Sequence, residues 1–351
     1  MKKLLLIFGV VMAANVAFAA KRPGTKKVHF SPLQLINKIV FTRGRPAVDI
    51  MIPGNEVVWT MNSDGSGQKA VWRVPKGYGR FGGFNNKGTQ ALSYNRFNVY
   101  LHDLKSHHIQ HLFVHSSGWG TYVDSVSFSR DGKRVLFSAG GGGNARSSNV
   151  YIIVLPQSKQ DIDQKEHTPI PSPPNANGEL PSDMFEPRFS PDGKRLVVSI
   201  GYRTEGETLT GSWNIWSLNI DGSSPVQLTA NPPALVSLNA FDKTPCFSPD
   251  GQKVAFVRCA FLIGIGETND VWLVDAQHQK RLTSYEEIAK HSGKKPTGAS
   301  SYNSISNLCF SPDGKRIAFN QIGRDSGIYC VGTDGNKLKR LTNGTLVQWV
   351  W

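Results

Sequence analysis

One phrase recurs four times in this 351-residue chain: Phe128-Ser-Arg-Asp131-Gly132-Lys, Phe189-Ser-Pro-Asp192-Gly193-Lys, Phe247-Ser-Pro-Asp250-Gly251-Gln and Phe310-Ser-Pro-Asp313-Gly314-Lys. The aspartates stand 61, 58 and 63 residues apart. Asp-Gly closes a tight β-hairpin because such a turn needs positive φ. An apolar strand follows each time: Val135-Leu-Phe137, Leu196-Val-Val198, Val254-Ala-Phe256 and Ile317-Ala-Phe319. A hairpin returning at a nearly fixed interval is the mark of a repeat array, and it constrains the fold before any single residue does.

Each repeat continues into two more strands. Ile215-Trp216 with Asp221-Gly222 leads to Gln227-Leu-Thr229, Val271-Trp272 to Arg281-Leu-Thr283, and Ile328-Tyr329 with Asp334-Gly335 to Arg340-Leu-Thr342. Four antiparallel strands make one propeller blade. Phe84 to Leu92 aligns without gaps to Phe310 to Ala318 and adds a second, degenerate blade. Asn37 to Phe41, Val57-Val-Trp59 and Asp64-Gly65 supply all but the innermost strand of a first one. The terminal Leu346-Val-Gln-Trp349-Val-Trp351 has the character of that missing strand. The expectation is an all-β, six-bladed β-propeller over residues 37–351, its first blade closed by the C-terminal strand, which removes the exposed sheet edges of an open array. Trp59, Tyr100, Tyr151, Trp216, Trp272 and Tyr329 then all fall in third strands. Their even spread points to packing between sheets.

The N-terminus carries the pattern of an export signal over residues 1–19: Lys2 and Lys3, an apolar Leu4 to Val11, and Ala17-Phe-Ala19. Residues 20–36 would form a linker. The apolar stretch is too short for a membrane-spanning helix. The expected location is the periplasm or the extracellular space, which disfavours nucleic acid as a partner. Loss of Lys2 and Lys3 takes the formal charge from +14 to +12, a basic surface suited to an envelope rich in anionic lipid and glycan. Cys246, Cys259, Cys309 and Cys330 lack CxxC spacing, and the sequence leaves their pairing open.

The hairpin phrase, the Trp or Tyr third strands and the Leu-Thr endings together resemble the propeller of the TolB family, across residues 37–351. No Trp-Asp dipeptide of the WD type occurs. The resemblance is to the propeller alone: nothing here matches the α/β domain that precedes it in that family. It implies a non-enzymatic scaffold that binds an envelope protein, of the kind of the lipoprotein Pal, over the channel opening. Polysaccharide lyases of the oligogalacturonate type use similar repeats, so an anionic glycan bound or cleaved on the long-loop face is the alternative.

Strand order puts the Asp-Gly turns on one face and the long insertions (140–148, 155–184, 201–211, 261–269 and 284–303) on the other. Loops on one face of a rigid scaffold are where binding concentrates. The channel mouth on that side should be ringed by Asp124, Glu186, Asp242, Lys243, Thr244 and Asn307. The turn face carries Lys133, Arg134, Lys194, Arg195, Lys253, Lys315 and Arg316, read as solvating the turns. His102, His107, His108, His111 and His115 crowd one repeat, but an outer strand is a poor place for a closed metal shell. No HExxH or Gly-x-Ser-x-Gly motif occurs. Glu205 with Glu207, Glu286 with Glu287 and Asp161 with Asp163 are the paired loop carboxylates. No catalytic residue, metal or cofactor is assigned.

Overall fold

The structure is a computed structural model that describes residues 31–43, 56–114, 122–140, 148–156, 168–174, 178, 183–202, 212–230, 240–262, 266–284, 287–288, 290, 304–323 and 326–350. The expected signal and all but the end of the expected linker lie outside these residues. No described helix is long and apolar enough to cross a membrane.

The repeated phrase folds the same way each time. At the second copy the Ser190 hydroxyl donates to Asp192 Oδ1 at 2.6 Å and accepts the Arg195 amide at 2.9 Å. The Lys194 amide reaches Asp192 Oδ1 at 3.0 Å, and Gly193 turns with φ of 68°. Ser129, Ser248 and Ser311 repeat the arrangement with Asp131, Asp250 and Asp313. Hydrogen bonds to the ionised form hold all four carboxyls below the usual range, the serine hydroxyl contributing most.

Antiparallel strands follow. β1 (Ile39–Arg43), β2 (Val57–Met61) and β3 (Lys69–Arg73) lie in one sheet with the C-terminal β23 (Thr345–Trp349), in the order β23-β1-β2-β3. β4 (Arg80–Phe84), β5 (Gln90–Tyr94), β6 (Asn98–Asp103) and β7 (Ile109–Val114) form a second sheet. β8 (Tyr122–Phe128), β9 (Arg134–Gly140) and β10 (Ser148–Val154) form a third. β11 (Asp183–Phe189), β12 (Arg195–Tyr202), β13 (Ser212–Asn219) and β14 (Val226–Gln227) precede β15 (Ala240–Phe247), β16 (Val254–Leu262), β17 (Gly266–Val274) and β18 (Gln279–Arg281). β19 (Ser304–Phe310), β20 (Arg316–Ile322), β21 (Gly327–Gly332) and β22 (Lys339–Thr342) make another four-stranded sheet.

The expectation of six separate four-stranded blades is corrected by this pairing. The described strands form five sheets: three of four strands, one of three and one of eight. Two local causes account for the difference. The segment beside β10 is Pro169-Ile-Pro-Ser-Pro-Pro174, and prolines cannot donate to a ladder; its Ile170 amide alone bonds back, to Val150 O at 2.8 Å. A parallel bridge between Trp213 and Phe241 joins β13 to β15 and fuses two units into the eight-stranded sheet. The Trp213 ring lies edge-on between Phe185 and Phe241, with centroids at 4.5 and 5.2 Å.

Four of the six third-strand aromatics lie opposite a second-strand phenylalanine of their own sheet, Phe41 with Trp59, Phe137 with Tyr151, Phe256 with Trp272 and Phe319 with Tyr329, while Tyr100 faces Ser93 and Trp216 faces Val198. The rings stack with centroids 5.2 to 6.5 Å apart. Such cross-strand pairs stabilise a sheet by roughly 0.2–1 kcal/mol each.

Candidate functional site: the central cavity

The first strand of each hairpin unit departs from regular pairing. Register shifts fall between Phe81 and Gly83, Val123 and Ser125, Phe185 and Arg188, Lys243 and Cys246, and Ser306 and Cys309. Glu186, Thr244 and Asn307 occupy equivalent bulge positions at φ of 53°, 50° and 50°. Bulges bend a strand and re-aim its side chains. Here they turn β4, β8, β11, β15, β19 and β23 around a cavity of about 320 Å3.

Asp124, Glu186 and Asn307 line this cavity together. Asp124 is reached by solvent, yet its carboxyl is pushed up to about 6 by the low-dielectric wall around it, with smaller contributions from Glu186 and Asp183. Glu186 accepts the Thr244 amide at 2.6 Å. Burial raises its pKa; that hydrogen bond and the charges of Arg188 and Lys243 act against the rise. Asn307 Nδ2 donates to Leu346 O at 3.1 Å. Glu186 and Asn307 therefore each tie their own strand to the next.

Gln348 does the same across the closing strand, accepting the Phe84 amide at 2.9 Å and donating to Phe84 O at 3.2 Å. It passes directly over Gly83 (φ 140°), where a Cβ would meet Gln348 Oε1 at 2.6 Å. Glu56 accepts the Phe81 amide at 2.8 Å, and burial raises its pKa against that bond and the Arg80 charge.

The other three predicted rim residues lie off the cavity lining, Thr244 giving its amide to Glu186 as described. Lys243 is off the cavity lining, with Nζ 3.2 Å from Ser304 Oγ. Asp242 is fully buried between strands, bound by Arg258 Nε and Nη2 at 2.7 Å each. Arg258 also covers the Trp272 ring at 5.1 Å.

Cavity residues that sequence reasoning did not single out include Glu56, Arg80, Tyr94, Arg188 and Gln348. A signal existed for one set: the residue just before each phrase's phenylalanine. Ser127, Arg188, Cys246 and Cys309, with Gln348 at the matching place before Trp349, all face the cavity. The four cysteines are free thiols. Burial pushes the Cys246 thiol up to about 12 and the Cys330 thiol up to about 11, so neither is an activated nucleophile.

The turn-face cations link neighbouring hairpins. Arg134 lies over Phe189 at 5.1 Å and donates to Gly193 O at 2.9 Å; Arg316 lies over Trp349 at 5.2 Å and reaches Ser63 O. Among the described residues no group of three or more His, Cys, Asp or Glu is placed to hold a metal ion. His115 and the carboxylate pairs at 161 and 163 and at 205 and 207 lie outside them, as does Glu286.

His102 is buried on β6, between β5 and β7 of the second sheet, with Nε2 2.7 Å from Ser93 Oγ and the rings of Trp72 and Tyr78 edge-on at 5.2 and 5.5 Å. Burial lowers its pKa from 6.5 to about 4. The folded state thus keeps it neutral while the unfolded chain takes up a proton. Its contribution is complete above about pH 6.5 and is lost as pH falls toward 4, by an amount of order 3 kcal/mol. Urea unfolding of the wild type and of His102→Gln between pH 7 and 4 checks this: the difference between the two should shrink on acidification.

No protein-family model matches the chain, and no curated protein is significantly similar to it. Solved structures do resemble it. TolB from Acinetobacter baumannii superposes with a TM-score of 0.58 at 19% identity over 90% of this chain, which spans only 66% of the TolB chain. An oligogalacturonate lyase in complex with manganese gives 0.52 at 12% identity over 88% of this chain and 74% of its own. A Mycobacterium tuberculosis puromycin-hydrolyzing peptidase gives 0.52 at 13% identity, over 87% of this chain and 44% of its own. At such identities the likeness concerns architecture, and with the sheets and cavity described above it shows that the chain folds as an all-β propeller.

Proposed function

We propose that this chain is an exported, non-catalytic scaffold that docks a protein of the bacterial cell envelope over the mouth of its central cavity. The observation that carries the reading is the commitment of the cavity carboxylates. Glu186 is held by the Thr244 amide and Glu56 by the Phe81 amide. Both spend an oxygen on joining neighbouring strands. A hydrolase or lyase needs such groups poised toward substrate. Asp124, in contrast, presents its carboxyl to solvent at the mouth and is placed to meet a partner. The export pattern of residues 1–19, the basic charge and the likeness to TolB support an envelope setting.

The test is affinity capture from envelope extract, paired with incubation of the purified protein with polygalacturonate. One stably bound protein and no change in the polymer are expected. Unsaturated oligosaccharide products, or an extract that yields no partner, would overturn the reading.

A further inference from the structure

Arg188 stands apart from every other group in the cavity wall. It lies on β11 two residues beyond the Glu186 bulge, in the ring formed with Ser127, Cys246, Cys309 and Gln348. It is the single charged member of that ring. Its guanidinium is half-buried and makes one hydrogen bond, from Nη1 to the adjacent Pro187 O at 2.9 Å. No carboxylate lies within ion-pairing distance of it among the described residues, where the ion pairs found involve Arg258, His278 and Arg281. Burial raises the pKa of Glu186, Tyr94, Cys246 and Cys309 around the cavity, and the Arg188 charge acts against each rise. Among the described residues, four of its five N–H donors have no acceptor.

A second unpaired group stands in the same ring. The Ser127 hydroxyl is buried and has no hydrogen-bond partner among the described residues. A guanidinium fork on β11 and a hydroxyl on β8 thus face one cavity, with Glu56 and Glu186 already tied to amides. Planar carboxylate matches the fork geometry. A dianion would meet stronger repulsion from Asp124 and Glu186 than a single carboxylate would.

We propose that Arg188, assisted by Ser127, is the anchor for a carboxylate side chain that the docking partner inserts into the central cavity. This rests on the docking reading above and adds the chemistry of the inserted segment.

The probe is the peptide acetyl-Gly-Glu-Gly-amide, titrated calorimetrically against the full chain, beside its Gln counterpart and a galacturonate dimer. The Glu peptide should bind at least tenfold more tightly than the Gln peptide, the margin of a charge-assisted over a neutral hydrogen bond. Arg188→Gln should abolish that preference and Arg188→Lys should keep part of it, with urea midpoints confirming that both variants fold. Equal binding of the two peptides, or a preference that survives Arg188→Gln, overturns the proposal. Binding of the galacturonate dimer without the Glu peptide overturns it too and assigns the site to a uronide. The titration needs no natural partner, so an empty affinity capture sinks the docking reading alone.

Discussion

A chain ending at Gly344 is expected to lose its cooperative fold, because β23 is the keystone of the first sheet. It pairs with β1 through Trp349 opposite Ile39 and Leu346 opposite Phe41. The next residue extends the contact, the Asn37 amide reaching Val350 O at 2.9 Å and the Val350 amide reaching Lys38 O at 3.0 Å. Leu346, Trp349 and Val350 are 0%, 3% and 1% exposed. Burying three such side chains contributes roughly 1.5–3 kcal/mol each. The sum approaches the ~5–15 kcal/mol net stability of an ordinary domain. Removal also strands the amide of Asn320, whose carboxamide now holds the Leu346 amide and carbonyl, and leaves β1 as an open edge. Near-ultraviolet circular dichroism and urea unfolding read the result. Trp349→Ala gives a graded version at about 3–5 kcal/mol. A truncated chain that melts like the full one would show that closure by β23 contributes little.

Replacing Arg258 with methionine is the second large effect, expected at about 3–5 kcal/mol. Asp242 is fully buried, and desolvation raises its pKa against the pull of Arg258. Without the guanidinium the carboxyl must take up a proton or stay buried and unpaired. The same change strips the cation from the faces of Phe256 and Trp272. The double variant Asp242→Leu with Arg258→Met should recover much of the loss, since an apolar pair of similar volume often replaces a buried ion pair at little cost. Urea midpoints of the two single variants and the double variant test this. A loss under about 1 kcal/mol in Arg258→Met would mean that Asp242 finds another partner.

Local chemistry was legible in the sequence wherever a single turn or strand decides it. The Asp-Gly turns need positive φ, and Gly132, Gly193, Gly251 and Gly314 adopt it at 68–74°. The aromatic column followed from register alone. The sheet count did not, because it depends on where a ladder stops. Pro169, Pro171, Pro173 and Pro174 were visible as a proline-rich insertion, but their effect is to leave β10, paired with β9 on one side, without a regular strand on the other. The Trp213–Phe241 bridge is a contact between units that no repeat pattern encodes.

The rim residues divide on a related point. Side chains alternate along a strand, so adjacent Asp242 and Lys243 could not both face one cavity. The bulge that follows them then removes both from the lining and gives the inner position to Cys246. A bulge inserts one residue without any mark in composition. Glu186, Thr244 and Asn307 share one place in the repeat, three residues before the phenylalanine of each phrase, yet of the three only Glu186 and Asn307 line the cavity.

The most direct test of docking over the cavity mouth is site-resolved crosslinking in envelope extract. A photoreactive residue is placed at position 124, on the cavity, or at position 194, in a hairpin turn off the cavity lining. Docking at the mouth predicts that one and the same protein is captured from position 124 and not from position 194. Capture from position 194 alone, or from neither, would contradict it.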